Sequence, residues 1–318
     1  MKKLFFSIIA LGITSLTFAQ NTDKALARVR YSFTHIQDTT QKDKPHKENM
    51  LLVIGKNASV YTSYDKINQE LQMKKKLAEQ LKEQAGSGNM SIKIDKTDSK
   101  TTTPLDYFFF AKENKFITKE RVFNNYLIEE TAPTINWKIT KDTASFSGVK
   151  CQKATAYFKG RNWIAWYAPE MPFQSGPWKL NGLPGLIIEA YDDKKEVQFT
   201  FAGIDNVEEV AQTKDDELKV SSPNGGLNMV NIIGMDSGNS YLGPEIKLPA
   251  DAIKTSRKEI DKLKEARAKD PQGFMQAQMA ASGMNVKFAQ GTSIRPATAS
   301  FSANKIELNN PIELPETK

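Results

Sequence analysis

The sequence predicts a mainly β protein, built as a curved antiparallel sheet or as an open, bowl-shaped barrel, with amphipathic helices inserted into it. Two observations support this fold class. Between Ala27 and Asn206, apolar side chains recur at every second position in a series of short runs, which is typical of half-buried strands. Segments containing Gly, Asn or Asp separate these runs, and this spacing indicates strands that follow one another as hairpins.

Residues 1–19 have the three parts of a secretory signal. A basic start is followed by the uncharged apolar run Leu4 to Leu16, and small residues lead to an expected cleavage site before Gln20. The run is too short to span a bilayer comfortably, and no later apolar segment is long enough to do so. We therefore expect an exported protein of the periplasm or outer envelope, with residues 20–318 forming one β domain.

The composition narrows the possible functions. The chain has a formal charge of +7 with its Lys residues spread along it, so no concentrated basic patch predicts nucleic-acid binding. The single cysteine, Cys151, cannot form an internal disulfide, and stability must come from core packing. Because two histidines and one cysteine lie far apart in the sequence, we predict no metal site and no cofactor.

A first series of short strands is predicted from the alternation of apolar and polar residues. Its members are Val29–Phe33, Met50–Ile54, Ala58–Tyr64, Tyr107–Ala111, Phe116–Arg121, Phe123–Glu130, Trp137–Lys141 and Ala144–Phe146. Two sharper hairpins follow. Val149–Phe158 turns into Arg161–Ala168, and Leu186–Tyr191 turns into Val197–Ala202, with the apolar residues of both partners on one face.

Two regions, near 64–88 and 214–291, predict insertions into the β domain. Ser63–Gln84 has apolar residues at helical spacing among many Lys, Glu and Gln residues, which indicates a solvent-exposed helix between two strands. Asp251–Ala268 predicts a second amphipathic helix that ends before Pro271, and the methionines that follow indicate a third helix.

The other segments after Asn206 are less regular. Thr213–Gly243 is rich in Asn, Gly and Ser, and it predicts loops around one buried segment, Met229–Ile233. Lys305–Leu314 predicts a final strand closed by Pro315.

The stretch NGLPGLI, from Asn181 to Ile187, has a backbone explanation. Pro184 and Gly185 fit the second and third positions of a type II turn, where glycine supplies the positive φ. Gly182 would allow a left-handed conformation or the close approach of a neighbouring chain. The stretch contains no acid, base, nucleophile or metal ligand, and a strand follows it, so it is not a phosphate loop. We interpret it as a structural turn, with anion binding by its amides as the alternative.

The residues around this turn form a recognisable pattern. From Lys150 to Asp192 they read KCQKATAYFKGRNWIAWYAPEMPFQSGPWKLNGLPGLIIEAYD, and the chain closes on Asn-Pro-Ile-Glu-Leu at 310–314. This pattern resembles the GLPGLI family of exported Bacteroidetes proteins, whose name is the sequence at Gly182–Ile187. A related domain is the bowl-like N-terminal module of a bacterial type II peptide-N-glycosidase. The resemblance implies a curved antiparallel β architecture and an accessory role, in a family without an established activity.

Nucleophilic and metal-dependent catalysis find little support in the sequence. Neither His35 nor His46 has a sequence-visible partner for a Ser-His-Asp arrangement. Cys151 alternates with Val149 in a predicted strand, which favours a buried, inert thiol over a reactive one. We therefore predict no catalytic residue of these types.

Paired carboxylates are the remaining catalytic candidates. Glu129-Glu130, Asp192-Asp193 and Asp215-Asp216 are adjacent in sequence, and adjacent strand side chains point to opposite faces. Glycoside hydrolysis needs two carboxyl groups that face each other across a substrate. A long-range pair such as Glu130 with Glu189 stays open.

Aromatic residues provide the binding hypothesis. Trp163, Trp166 and Trp178 lie close together in the sequence, and strand alternation places Trp163 and Trp166 on opposite faces. Exposed rings beside Arg161, Asn162 and Lys179 would form a platform for sugar rings or an extended peptide. The alternative is that all of these rings belong to the core.

These observations together predict a non-enzymatic binding or accessory module. It would contact an envelope protein or a glycan through the concave side of its sheet. The alternative is a hydrolase of envelope glycans or peptides whose carboxylates are brought together by the fold. A third possibility is a subunit that adds a strand to an outer-membrane transporter.

Overall fold

The structure, a computed structural model, describes residues 22–83, 100–207, 241–250, 252–281 and 308–316. Its strands are β1 (Asp23–His35), β2 (His46–Gly55), β3 (Ala58–Ser63), β4 (Leu105–Phe110), β5 (Lys115–Arg121), β6 (Asn125–Thr131), β7 (Lys138–Phe146), β8 (Val149–Phe158), β9 (Arg161–Ala168), β10 (Leu186–Asp192), β11 (Val197–Asn206), β12 (Glu245–Ile246) and β13 (Ile253–Thr255). Its helices are α1 (Tyr64–Glu83), α2 (Arg257–Lys269) and α3 (Pro271–Ala281), with a 3₁₀ turn at Ala111–Glu113.

The described strands form one large sheet made of two meanders. Strands β1 to β6 pair with their neighbours in sequence, β7 to β11 do the same, and the pairing of β1 with β11 joins the two series. All pairs are antiparallel except β13 with β6. Within the described residues the sheet is open, with β13 and β7 at its two ends. The predicted fold class, mainly β with an open curved sheet, is confirmed.

Bulges explain how this sheet curves. Register shifts interrupt the ladders β1–β2, β1–β11, β9–β10 and β7–β8. An extra residue on one strand bends that strand and increases its twist. As a result, Tyr107 and Phe116 of β4 and β5 share one hydrophobic core with Phe158 and Trp163 of β8 and β9, although many strands separate them in the sheet order.

The middle of the sheet is buried on both faces. In β4, Tyr107 belongs to the large core inside the curve, whereas Phe108 and Phe110 belong to a second core on the other face. The second core is covered in part by Ile67 of α1 and by Tyr241. A burial pattern without exposed positions in β3 agrees with a strand covered on both sides.

Most sequence-predicted elements agree with the structure. The predicted strands Val149–Phe158 and Arg161–Ala168 have the same bounds as β8 and β9. The two predicted strands between Trp137 and Phe146 are one continuous strand, β7. The predicted helix between two strands is α1, which follows β3 directly and buries Ile67. No helix in the described part of the chain is long and apolar enough to cross a membrane.

The prediction for the helix at Asp251–Ala268 is wrong at its start. Ile253–Thr255 forms β13, and the helix begins only after Ser256. The Ser256 hydroxyl accepts a hydrogen bond from the Glu259 amide, and the Glu259 carboxylate accepts one from the Ser256 amide. This reciprocal cap determines the start of α2. Pro271 is the first residue of α3, a position where its missing N–H costs nothing.

The predicted final strand is also wrong in its described part. Leu308–Glu316 forms no strand, because its polar groups bond to the ends of other strands and to side chains. The Asn310 amide donates to the Gln37 carbonyl, and the Leu314 amide donates to the Lys159 carbonyl. We call residues 308–316 the C-terminal strap. The predicted buried segment Met229–Ile233 lies outside the described residues.

Candidate functional site

An open groove of about 760 Å³ lies inside the curve of the sheet. Its lining residues come from β4, β5, β6 and the segment after it, the end of β8, the β8–β9 turn, the loop before β10, the start of α2 and the C-terminal strap. They are Leu105, Tyr107, Phe116, Thr118, Glu130, Thr131, Pro133, Thr134, Tyr157, Phe158, Lys159, Lys179, Arg257, Glu313 and Glu316. This volume is within the range of small-ligand sites.

One wall of the groove is built by strand register. Tyr107 lies opposite Thr118 in the β4–β5 ladder, and Phe116 lies opposite Glu130 in the β5–β6 ladder. Residues directly opposite in antiparallel strands point to the same face, so these four side chains form one surface. Burial raises the pKa of the Tyr107 hydroxyl, and it therefore keeps its proton at neutral pH.

The facing wall is the β8–β9 turn together with the C-terminal strap. Lys159 and Gly160 form a two-residue turn with φ values of 51° and 72°, as the type I′ hairpin turn requires. Gly160 is needed for a second reason, because a Cβ there would lie 2.6 Å from the Leu314 Cβ. The strap thus packs directly on the turn, and it brings Glu313 to within 3.6 Å of the Lys159 Nζ atom.

Arg161 holds the strap in place. Its guanidinium donates to the Ile312 carbonyl at 2.9 Å, the Pro311 carbonyl at 2.7 Å and the Asn310 Oδ1 atom at 2.7 Å. The same group pairs with Asp192 at 2.7 Å, and both side chains are almost fully buried. Arg161 is therefore a structural anchor that fixes the wall of the groove.

The loop before β10 contributes Lys179 to the groove. The Lys179 Nζ atom lies 2.7 Å from Glu313 Oε1 and 5.6 Å from the centre of the Phe116 ring. Its neighbour Trp178 has a φ of 55°, a left-handed conformation that is unfavourable for a bulky side chain. Packing of the Trp178 ring against Phe158 and Trp163 maintains this conformation and so determines where Lys179 points.

The stretch Gly182–Ile187 supports this loop from behind. None of its residues lines the groove in the described part of the chain. Gly182 has a φ of 86°, as the sequence allowed. The predicted type II turn is wrong, because Gly185 is not in the positive-φ region and its amide donates to the Leu183 carbonyl, which closes a tighter turn around Pro184.

Gly185 is required by close approach instead of by backbone conformation. A Cβ on Gly185 would collide with the backbone carbonyl of Ala168 at the end of β9. Trp137, which sequence reasoning did not single out, donates its indole N–H to the Asn181 carbonyl at 2.7 Å. The stretch is therefore a structural turn clamped between β9 and the segment before β7.

The groove carries equal numbers of formal charges of each sign. Its cations are Lys159, Lys179 and Arg257, and its anions are Glu130, Glu313 and Glu316. Arg257 pairs with Glu130 at 3.5 Å and with Glu120 at 3.2 Å, and Lys179 pairs with Glu313. These pairs leave a polar surface with donors and acceptors but without a net formal charge.

The structure separates the residues of the predicted aromatic platform. Trp163, Trp178 and Arg161 are 0%, 5% and 3% exposed, so their prediction as surface binding residues is wrong. The Trp163 indole donates to the Phe158 carbonyl at 3.0 Å within the core. Strand alternation places Asn162 and Trp166 on the other face of β9, where Asn162 donates to Asp193.

Trp166 is half-buried on that second face. Its ring packs at 5.3 Å from Phe146, and the Lys153 Nζ atom lies 5.9 Å from its ring centre. Glu189 lies directly across from Trp166 in the β9–β10 ladder, and burial raises the pKa of its carboxyl group. Binding through Asn162 and Trp166 stays a prediction.

The suggested pair of Glu130 and Glu189 does not converge. Glu130 lines the groove, whereas Glu189 shares the Trp166 face. Of the adjacent carboxylates, Asp192 is buried against Arg161 and Asp193 accepts from Asn162. Asp215 and Asp216 lie outside the described residues.

The thiol and imidazole groups serve structural roles. Cys151 is buried, and burial raises its thiol pKa to about 11, which agrees with the predicted inert thiol. The His35 Nε2 atom lies 2.8 Å from the Asn310 carbonyl, which can only accept, so this nitrogen carries a proton. His46 bonds to buried Glu48. No cluster of three or more metal-ligating side chains occurs among the described residues.

Sequence reasoning missed most of the groove. Its walls combine β4 to β6, the strap and the start of α2, which are far apart along the chain, and no local pattern connects them. The exposed aromatic Tyr157 next to the Lys159-Gly160 turn was a local signal that could have indicated a binding rim.

The fold and site thus define an open, curved β-sheet protein with a polar groove inside the curve. No protein-family model matches the chain, and no curated protein sequence matches it. Among solved structures it is similar to two described as "Structure of PNGF-II", in the P21 and the C2 space groups. The first has a TM-score of 0.40 and 11% identity over 57% of this chain and 28% of that chain. The second has a TM-score of 0.42 and 9% identity over 75% of this chain and 32% of that chain.

This similarity concerns the fold. The chain spans about a third of the length of the two PNGF-II chains.

Proposed function

We propose that the protein is an exported, non-enzymatic binding module of the cell envelope, belonging to the GLPGLI family, and that its groove holds a segment of a neutral glycan. The export signal and the family pattern in the sequence support the first part of the proposal. The position of the groove inside the curve of the sheet supports the second part.

The balance of charges in the groove is the observation that carries this choice of ligand. Three cations and three anions line it, so a strongly charged ligand gains no net attraction. A sugar hydroxyl both donates and accepts hydrogen bonds, and it can therefore bond to carboxylates and to ammonium or guanidinium groups alike. The rings of Tyr107 and Phe116, which line the groove, offer apolar surface for a sugar ring.

A glycan hydrolase is the second candidate, because Glu130 and Glu313 reach the groove from opposite walls. Both carboxylates contact cations, Glu130 through Arg257 and Glu313 through Lys179. Glycosidases need two carboxyl groups that face the substrate, whereas each of these carboxylates is engaged by a cation of the groove wall. This arrangement favours binding over hydrolysis.

Calorimetric titration of residues 20–318 with neutral oligosaccharides, acidic oligosaccharides and peptides tests the proposal. We expect binding of neutral oligosaccharides without release of reducing ends. Glu130→Gln should weaken this binding about tenfold, since it removes hydrogen bonds to a charged acceptor. Glu129→Gln is the matched control, because Glu129 is adjacent in β6 and is not among the lining residues.

A second pair of variants decides which face binds. Lys179→Met should weaken glycan binding, because Lys179 lines the groove, and Trp166→Ala should leave it unchanged. Loss of binding with Trp166→Ala alone would transfer the site to the Trp166 face. Binding of peptides only, or of no ligand, would contradict the proposal, and release of reducing ends would favour the hydrolase.

A further inference from the structure

A second, much smaller cavity lies directly behind the groove wall that β4 and β5 form. Tyr107 and Phe116 line both spaces, and Tyr61, Ser175 and Trp178 are among the other residues around the inner one. Its volume is about 10 Å³, close to the minimum that holds one water molecule. We call it the inner cavity.

Two buried polar atoms on the wall of the inner cavity have no hydrogen-bond partner. They are the Tyr61 hydroxyl and the Trp178 indole N–H, and the two residues are 3% and 5% exposed. Buried polar groups in folded proteins are nearly always bonded to protein or to ordered water, because leaving one unmade is costly. Two such atoms on one small cavity therefore indicate a bonding group between them.

The other tryptophans show that Trp178 is exceptional. Trp137 donates to the Asn181 carbonyl, Trp163 donates to the Phe158 carbonyl, and Trp166 donates to the Tyr191 hydroxyl. Burial raises the pKa of the Tyr107 hydroxyl, and the nearby Trp178 indole lowers it by a smaller amount. The indole N–H nevertheless makes no hydrogen bond of normal geometry. Its left-handed backbone and its packing between Phe158 and Trp163 leave the ring little freedom to turn elsewhere.

The chemistry of the site favours a neutral group. Burial strongly raises the pKa of the Tyr61 hydroxyl, with smaller contributions from Glu48, Tyr31 and Tyr107, so this hydroxyl stays protonated. It can donate or accept, whereas the Trp178 indole can only donate. A single group that accepts from Trp178 and bonds to Tyr61 satisfies both atoms, and a water molecule has this capacity and size.

We propose that the inner cavity is a binding site for one ordered water molecule, which bridges the Tyr61 hydroxyl and the Trp178 indole behind the groove wall that β4 and β5 form. The bridge holds together two residues that contact Tyr107, the residue shared with the groove. This inference is independent of the ligand proposed for the groove.

The substitution Tyr61→Phe tests the site, because it removes the hydroxyl and keeps the ring. If the water is present, it loses a partner, and the midpoint of thermal unfolding should fall by about 2–4 °C. If nothing bonds to the hydroxyl, its removal relieves a buried unpaired group, and the midpoint should stay the same or rise. Tyr31→Phe is the matched control, since its buried hydroxyl donates directly to the Ile187 carbonyl and its loss must lower the midpoint.

A second measurement observes the water directly. In the wild type, the Trp178 indole proton, assigned by its absence in Trp178→Phe, should show a nuclear Overhauser cross-peak to a long-lived water. An unchanged or raised midpoint in Tyr61→Phe overturns the inference, and so does the absence of this cross-peak.

Discussion

Replacing Arg161 with methionine removes the donor that ties the C-terminal strap to the sheet, while a side chain of similar length remains. In the wild type, Arg161 bonds to three groups of the strap and to the carboxylate of Asp192. Its side chain is 2% exposed and that of Asp192 is 1% exposed. The substitution therefore leaves a carboxylate and several strap oxygens without their donor.

The expected cost is large because the remaining charge is buried. Removing one partner of a buried ion pair destabilises a protein by about 3–5 kcal/mol. Val197 still donates its amide to Asp192 Oδ1, so the carboxylate keeps one bond and the lower half of that range is expected. The double variant Arg161→Met with Asp192→Asn should recover part of the loss, because it also removes the unpaired charge.

Urea unfolding followed by tryptophan fluorescence measures the free energy of unfolding, and brief proteolysis with mass analysis measures release of the strap. Lys153→Met is the control, since the Lys153–Asp142 pair at 3.3 Å is partly exposed to solvent and should contribute less than about 1 kcal/mol. If Arg161→Met costs no more than this control and the strap stays protected, the anchoring role is refuted.

Three further predictions follow from burial and close packing. Burial lowers the pKa of His35 from 6.5 to about 4, so the unfolded state takes up a proton at a higher pH than the folded state does. The free energy of unfolding should therefore fall by about 2 kcal/mol from pH 7 to pH 4.5. A His35→Asn variant with the same pH dependence would contradict this prediction. Gly185→Ala should cost more than about 2 kcal/mol in urea unfolding, because its Cβ meets the Ala168 carbonyl. Gly182→Ala should cost about 1–2 kcal/mol, because its Cβ would make only ordinary contact with Trp137 but the φ of 86° is unfavourable for alanine; equal losses would be inconsistent with the clamp. Cys151, with its thiol pKa raised to about 11, should react with a thiol reagent only after unfolding, and rapid labelling of the native protein would show that it is accessible.

The elements that the sequence predicted well depend on contacts between neighbours in the chain. The β8–β9 hairpin is an example, because two alternating strands and the Lys159-Gly160 turn lie within one short segment. The same local alternation placed Trp163 and Trp166 on opposite faces. Alternation does not say which face is core, and for this reason Trp163, Trp178 and Arg161 were predicted at a surface although they are buried.

The groove depends on contacts that no local pattern contains. Glu130, Lys179 and Glu313 meet because β1 pairs with β11 and the bulged sheet curves until its distant strands face one core. The strap lost its predicted strand for the same reason, since Arg161 and the strand ends supply its hydrogen-bond partners.

By itself, the sequence determined the strand-rich fold class, the hairpins and the inserted helix α1, because apolar period and turn chemistry are properties of neighbouring residues. The tertiary structure alone decided the joining of the two meanders, the identity of the buried tryptophans and the assembly of the groove. Strand pairing and sheet curvature depend on packing between side chains that are far apart in sequence. The spacing of apolar residues along the chain does not reveal that packing.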